Sequence, residues 1–281
     1  RSAENKERFL KERMLFDITL FSDDSKIQRK PKGHLYLYPL IAIAAMLAIV
    51  FVMDLPHMHK PKQQLSQTIR IPAGQRAQMD LPDGSVVWLN SQTTLTYDED
   101  FGKKDRKVTL DGEAYFEVAH NKEIPFYVQT ENIKVQVTGT KFDVCSYKGS
   151  NSFIARLIEG SINLLTNSAK EEKTITSLTK GKYFSMENGK YRTGEMSSNN
   201  ALAWMQGIYY FDDVPFKELL DKIALYYNYK ITVKNPKILE NYRCTGKFKD
   251  LDGIEHILKV IQKDHPFKYD IDNEHNKITI E

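Results

Sequence analysis

The sequence is poor in cysteine and tryptophan and has no marked excess of either charge. Two of its 281 residues are cysteine, Cys145 and Cys244, and two are tryptophan. So few thiols exclude a disulfide-stapled scaffold or a Cys-rich metal module. A bridge between these two would have to join regions that read as different domains, so two separate small core residues are the expected reading. Lys and Arg number 40 against 37 Asp and Glu, giving a net charge of +3. Without a basic excess, direct nucleic-acid binding is not expected. The common catalytic signatures are missing too: no G-x-S-x-G, no H-E-x-x-H, no phosphate-binding loop, and the seven His are scattered. Neither an enzyme acting on an external substrate nor a cofactor is expected.

One long apolar run is present, residues 35–53 (LYLYPLIAIAAMLAIVFVM), without Asp, Glu, Lys, Arg or His. At 1.5 Å per helical residue, it approaches the roughly 20 residues needed to cross a bilayer core. Tyr36 and Tyr38 suit the headgroup level, and Pro39 falls in the first turn, where its missing N–H costs little. A buried core helix would keep a polar stripe, and a cleaved leader would be shorter and followed by an A-x-A site. Residues 35–55 are therefore expected to form a single transmembrane helix. Lys26, Arg29, Lys30 and Lys32 precede the run, whereas Asp54, Lys60 and Lys62 follow it. The positive-inside rule then puts the N-terminus in the cytoplasm and the remainder across the membrane.

Residues 1–34 read as a short cytoplasmic helical arm, with Ser2 as cap and Phe9, Leu10, Met14 and Ile18 on one face. Such a helix cannot bury its apolar face alone and needs a partner groove, a membrane or further chain. The sequence begins at Arg1 rather than Met, so the arm is expected to be a fragment. Residues 56–67 read as an extended tether. There His57, Met58 and His59 are too few and too unconstrained for a metal site, and none is expected.

From residue 68 to 195 the pattern becomes short runs rich in Val, Ile, Thr, Tyr and Phe, at intervals of about eight to ten residues, which predicts an all-β sandwich or wound barrel. Leu81-Pro82-Asp83-Gly84-Ser85 predicts a hairpin, and Asp111-Gly112 separates Lys107–Leu110 from a strand over 113–119. In that strand Ala114, Phe116 and Val118 share one face; Glu113, Tyr115 and Glu117 share the other. Two pleats apart, Glu113 and Glu117 would stand about 13 Å from one another, too far for glycoside hydrolysis unless the side chains converge, and they read as exposed face residues. Gly139-Thr140 lies between two apolar strands. A Thr hydroxyl can attack the carbonyl before it when a turn strains that peptide, and Gly there admits the required angles. The alternative is an ordinary Gly turn or bulge.

Residues 200–281 read as a small α/β domain of two β-α-β units behind a connector carrying Trp204. The first unit has strand Ile208–Phe211, Asp213-Val214-Pro215 and a helical face of Phe216, Leu219, Leu220, Ile223 and Tyr227. The second has strand 243–248, a capping box of Asp252 and Glu255, and a face of Ile254, Ile257, Leu258 and Ile261. With no phosphate loop and no clustered acid, base and nucleophile, a binding module is expected. A rival reading is a membrane-tethered glycan-binding or glycan-cleaving protein, with Tyr115, Tyr209 and Tyr210 as sugar platform and Glu113 and Glu117 as acids.

Three motifs, Asp111-Gly112-Glu113-Ala114-Tyr115-Phe116-Glu117-Val118, Gly139-Thr140-Lys141-Phe142-Asp143-Val144 and Leu157-Ile158-Glu159-Gly160-Ser161-Ile162, resemble the core of the FecR family of transmembrane anti-sigma factors. Phe211-Asp212-Asp213-Val214-Pro215-Phe216 and its repeat resemble the C-terminal domain of that family's Bacteroidetes branch, similar to the short N-terminal domains of secretins and TonB-dependent receptors. The resemblance implies a single-pass inner-membrane protein with its C-terminal region in the periplasm. It implies two partners: an extracytoplasmic-function sigma factor, met here by Phe9, Leu10, Met14 and Ile18, and the signalling domain of an outer-membrane TonB-dependent transporter. The output would be transcription of iron or glycan uptake genes. In the C-terminal motif Tyr209, Phe211, Val214 and Phe216 would be mainly structural. Some members cleave themselves at a Gly-Thr bond, and Gly139-Thr140 matches that position.

Overall fold

The computed structural model describes residues 42–46, 48–49, 65–103, 105–167, 172–196 and 199–281. The chain divides into two units, Arg1–Gln63 and Gln64–Glu281. In the first, residues 42–46 and 48–49 are helical and exposed. Among the described residues no helix is long and apolar enough to cross a membrane. The rest of the expected span, the arm residues Phe9, Leu10, Met14 and Ile18, and the tether with His57, Met58 and His59 lie outside the described residues.

The second unit opens with thirteen strands. They are β1 (Ser66–Arg70), β2 (Ala77–Asp80), β3 (Val86–Leu89), β4 (Thr94–Asp98), β5 (Arg106–Glu117), β6 (Phe126–Gln129) and β7 (Ile133–Val137). There follow β8 (Lys141–Ser146), β9 (Ser152–Glu159), β10 (Ser161–Thr166), β11 (Thr174–Thr179), β12 (Lys182–Glu187) and β13 (Lys190–Glu195). They form two layers that share β5. One runs β1-β4-β5-β6-β7-β10-β11, the other β2-β3-β5-β8-β9-β12-β13. All neighbours are antiparallel except β5 and β6. The core between the layers takes Val108 and Leu110 from the first half of β5 and Ala114 and Phe116 from the second.

The Asp111-Gly112 step is therefore a kink within one strand, not a break between two. Residues up to Asp111 pair with β4, and residues from Gly112 pair with β8. Gly112 has φ +137, and a Cβ there would lie 2.6 Å from the Thr93 Cα. Only glycine tolerates both conditions. Thr93 seals the kink: its hydroxyl accepts the Glu113 N–H at 3.0 Å and donates to the Glu113 carbonyl at 3.1 Å. The expected hairpin is β2–β3, with Asp80 opposite Val86.

After a 3-10 turn, Asn199–Gln206, come β14 (Ile208–Pro215), α1 (Phe216–Tyr227), β15 (Lys230–Val233), β16 (Arg243–Lys249), α2 (Gly253–Asp264), β17 (Tyr269–Asp272) and β18 (Lys277–Ile280). The strands form two small sheets, β14-β16 and β15-β18-β17. The apolar faces read from the sequence are buried in both helices, except that Tyr226 rather than Tyr227 completes that of α1. β14 continues through Pro215, bulged between Phe211 and Val214. Asp213 holds the bulge at φ 47, its carboxylate accepting from Arg243 Nε at 2.7 Å. The expected capping box fails: Asp252 makes no side-chain bond into α2 and instead accepts the Lys249 N–H at 3.3 Å, closing the turn before the helix.

Replacing Gly112 by Ala adds both strain and overlap, each of order 1–3 kcal/mol. We expect the melting temperature of residues 65–281 to fall by roughly 10 °C, followed by circular dichroism, given about 2–4 °C per kcal/mol in a unit this size. An unchanged melt would refute the kink's role.

Candidate functional site

Two places bring the motif residues together. The first is the corner at residues 138–140, where the chain crosses from β7 in one layer to β8 in the other. Residues 118–121 run beside it: Val118 N–H donates to Thr140 O at 3.0 Å and Asn121 N–H to Thr138 O at 2.7 Å. This approach is so close that a Cβ on Gly139 would meet His120 Nδ1 at 2.4 Å and His120 Cα at 2.8 Å. Close approach, not a left-handed backbone, is thus why glycine stands there; Gly139 is not among the positive-φ residues. The Thr140 side chain is buried, and its hydroxyl donates to Ser161 O at 3.0 Å. Gly160 closes the other side, its absent Cβ pointing 3.0 Å from both Gly139 O and Thr140 Oγ1.

The loop carrying His120 is fixed from below by Arg106, which is 2% exposed. Its guanidinium donates to Ile124 O and Ala119 O, each at 2.7 Å, to Asn121 O at 3.1 Å and to Asp83 Oδ2 at 3.1 Å. A buried charge persists only when so fully partnered. The three sequence motifs meet here. Glu117 pairs across to Lys141, which pairs across to Glu159, and a 3.6 Å ion pair joins Glu117 to Lys141.

The second place is the junction between the β layers and the α/β part. Glu113, Tyr115 and Glu117 were expected to be exposed. Glu113 and Tyr115 are buried, and Glu117 is half-buried. Tyr115 belongs to the same cluster as Trp204, Tyr209, Phe211, Phe216 and Tyr226, with Trp88 and Ile158 packed beside it. The outer face of β5 is therefore a domain contact. Glu113 Oε2 accepts from Asn90 Nδ2 at 2.6 Å and Tyr226 OH at 3.5 Å. Arg156 Nη1 lies 3.7 Å from Glu113 Oε1 and 2.5 Å from Asp143 Oδ2. The end of α1 is capped from the β layers: Leu225 O accepts from Gln92 Nε2, and Tyr226 O from Ser91 Oγ and Gly74 N, both at 3.0 Å. At the far side Arg76 meets Asp250 at 2.5 Å.

Two buried carboxylates share one guanidinium, which can balance only one ionised carboxylate. Burial pushes the Asp143 carboxyl up, and Glu113 adds to this, while Arg156 and the facing Trp204 indole pull it back. Asp143 Oδ1 and Trp204 Nε1 are both buried without a well-formed hydrogen bond. Burial also raises Tyr226 and Tyr147 well above the usual phenol, with Glu113 next in effect. Cys145 and Cys244 are both free thiols. Among the described residues no three His, Cys, Asp or Glu are grouped as a metal would need.

The sequence missed Asn90, Asp143, Arg156 and Tyr226 as a cluster. Only the cross-strand opposition of Asp143 and Arg156 carried a local signal, and it required the β8–β9 register. The sugar platform does not form: Tyr115 and Tyr209 are core residues, the latter stacked on Tyr226 with ring centroids 4.2 Å apart. Phe211 and Phe216 are likewise buried, and Val214 is half-buried.

Two β layers sharing one strand, joined through a polar seam to a small α/β part, define the class of protein. The family profile described as FecR protein matches residues 67–163, and that described as FecR, C-terminal matches residues 208–280. The chain belongs to the FecR family. Two crystal structures of a proposed anti-sigma factor from Parabacteroides distasonis ATCC 8503, at 2.50 and 1.65 Å resolution, are similar to it, each with a TM-score of 0.66. They are 25% and 24% identical, covering 77% and 76% of this chain and 98% of their own. No curated protein matches the chain in sequence.

Because its folded pKa is raised, Asp143 keeps a proton that the unfolded chain has already released. The stability this gives is complete below the ordinary value of 3.8 and is lost as pH rises to about 7. Asp143→Asn stays neutral throughout. Its stability relative to wild type, followed by the melting temperature, should climb across that window by at most about 1.4 kcal/mol per pH unit. A flat difference between pH 4 and 7 would show that Asp143 is ionised throughout.

Proposed function

We propose that this chain is a single-pass anti-sigma factor of the inner membrane, with its N-terminal arm in the cytoplasm and residues 56–281 in the periplasm. The arm, through Phe9, Leu10, Met14 and Ile18, engages an extracytoplasmic-function sigma factor. The periplasmic part receives the signalling domain of an outer-membrane TonB-dependent transporter, and the output is transcription of nutrient-uptake genes. One observation carries this reading: the FecR region and the FecR C-terminal region occur in order within one compact unit. The similar Parabacteroides structures, proposed anti-sigma factors, support it. So does the sequence before the unit, an apolar run with four basic residues on its N-terminal side.

The Gly139–Thr140 bond is the proposed point of self-cleavage. A lone membrane helix has no packed partner in its own chain to give two discrete arrangements, so it transmits conformational change poorly. Cutting the outer part carries a signal without such a switch. Thr140 brings a hydroxyl one bond path from the Gly139 carbonyl, held in a buried corner.

The test is capture of residues 65–281 by transporter signalling domains from the same organism. One selective partner is expected, and no binding to oligosaccharide. A bound glycan, with no partner at high micromolar concentration, would overturn the reading. Wild-type protein should also yield a fragment beginning at Thr140, absent from Thr140→Ala. A persistently intact wild-type chain would leave the corner a structural turn.

A further inference from the structure

We propose that β13 is a docking edge for a second copy of this chain, the two β13 strands pairing antiparallel about Thr193. The two layers end in four edge strands, β1, β2, β11 and β13. The β10–β11 ladder is bulged at Leu164 and Leu165, and β1 and β2 are shorter than β13. β13 keeps six residues in unbroken register with β12, without bulge or proline. Among the described residues nothing pairs on its other side. All six are exposed except Gly194, which is half-buried. Such an edge is a template for another strand. The hairpin decides which backbone groups it offers. Asn188 and Gly189 have φ 48 and 78, as a two-residue turn of type I′ needs. A turn of this kind closes with a hydrogen bond between its flanking residues, here Glu187 and Lys190, which stand opposite in the ladder. Bonding direction alternates along an antiparallel strand, so Lys190, Arg192 and Gly194 bond to β12, while Tyr191, Thr193 and Glu195 turn N–H and C=O outward. Met196 keeps the alternation, its N–H donating to Gly181 O on the β12 side at 2.7 Å.

Charge then selects the register. Paired residues of an antiparallel ladder share a face, so two copies continue one sheet only about an axis that passes through a paired residue. With the axis at Thr193, the outward groups meet one another: Tyr191 opposes the second copy's Glu195, and Thr193 opposes Thr193. Arg192 opposes Gly194. No like charges face each other, and a Thr–Thr pair is favourable across strands. One step toward the hairpin would set Arg192 against Arg192, and two steps Lys190 against Arg192; a step the other way shortens the ladder. Arg192 has no ion pair among the described residues and stands opposite Ser185 on β12. A Cβ on Gly194 would meet Tyr183 Cε1 at 2.7 Å, so the Tyr183 ring overlies that glycine and the second copy's Arg192 arrives beside it. On the core side the layers are open between β11 and β13, at a cleft of about 210 Å³ lined by Ile175, Thr176, Phe184, Tyr191, Arg192 and Thr193. Tyr191 stands opposite the buried Met186, its ring centroid 5.6 Å from that of Phe184, yet is 56% exposed. A sheet continued past β13 flanks that cleft. A single six-residue strand pair is small beside the roughly 1,200 Å² of a stable interface, so the dimer is weak and forms as the chains are concentrated.

The experiment uses the whole chain, made by cell-free synthesis with detergent, and mild oxidation of Thr193→Cys and Lys190→Cys. Wild type, with Cys145 and Cys244 alone, gives the background. At the axis the two Cα atoms stand about 5.5 Å apart, within disulfide reach. The two copies of residue 190 are six residues apart along the ladder, roughly 20 Å. Thr193→Cys should therefore give about 10-fold more covalent dimer than Lys190→Cys. In the unmodified chain, amide hydrogen exchange over residues 190–195 should slow as concentration rises. Thr193→Lys sets two ammonium groups against each other at the axis and should abolish that dependence with the melting temperature unchanged. Equal cross-linking at both positions, or none at Thr193, would overturn the pairing. Slow exchange at every concentration would put a segment of the same chain on the edge, and fast exchange at every concentration would leave it to a different protein; either result overturns the second copy as its occupant.

Discussion

A strand that serves two layers has to change its surroundings halfway along, and β5 imposes that condition on everything else. Its first half alternates buried and exposed residues, as a strand with one wet face should. From Gly112 five residues in succession are buried, Gly112 to Phe116. The inner side chains, Ala114 and Phe116, meet the core between the layers. The outer ones, Glu113 and Tyr115, are polar or amphipathic, so whatever covers them must offer hydrogen bonds as well as apolar area. The α/β part does both. It brings Tyr226 to Glu113 and an aromatic cluster around Trp204 to Tyr115.

That division decides what holds the seam and what orients it. The apolar cluster supplies the adhesion, because burying one aromatic or Leu side chain is worth roughly 1.5–3 kcal/mol. The Glu113–Arg156–Asp143 group adds little net energy, since desolvation offsets the attraction of buried charges. Breaking it is another matter. Removing one partner strands a buried charge at a cost of about 3–5 kcal/mol. All three charged groups belong to the β layers, so what another docking of the α/β part would take from them is the Tyr226 hydroxyl on Glu113. The caps on Leu225 O and Tyr226 O act alike, since buried helix-end carbonyls need partners and find them here on the β layers.

Much of this was legible in the sequence where periodicity was local. The α2 face of Ile254, Ile257, Leu258 and Ile261 is buried as its spacing required, and the β2–β3 hairpin follows from Pro82-Asp83-Gly84. Alternation failed at Glu113 and Tyr115, because period two reports that a face differs and not what lies against it. Asp111-Gly112 misled for a similar reason. The pair signals a special backbone, and here the specialty is a kink against Thr93 rather than a turn. The candidate corner was found through Gly139 and Thr140 but not through His120 or Ser161, which lie about twenty residues away on either side and join it only by strand crossing.

The corner and the seam lie on the same pair of strands. Glu113 and Glu117 sit four residues apart on β5, and Asp143 and Lys141 two apart on β8, in one antiparallel register. Glu113 pairs with Cys145 and Glu117 with Lys141, so the ladder between seam and corner has no bulge. About 13 Å of regular strand separates them, at roughly 3.3 Å per residue. Such a ladder transmits displacement stiffly but stores no second arrangement of its own, because a one-residue slip would turn Phe116 and Ala114 out of the core. Any response of the corner to events at the α/β part must therefore travel as a rigid shift of this ladder. The His120 loop leaves β5 directly after Glu117 and is tied back to the first residue of that same strand, Arg106, which also holds Asp83. The close approach at Gly139, where a Cβ would lie 2.8 Å from His120 Cα, is thus held by the same strand that carries the seam.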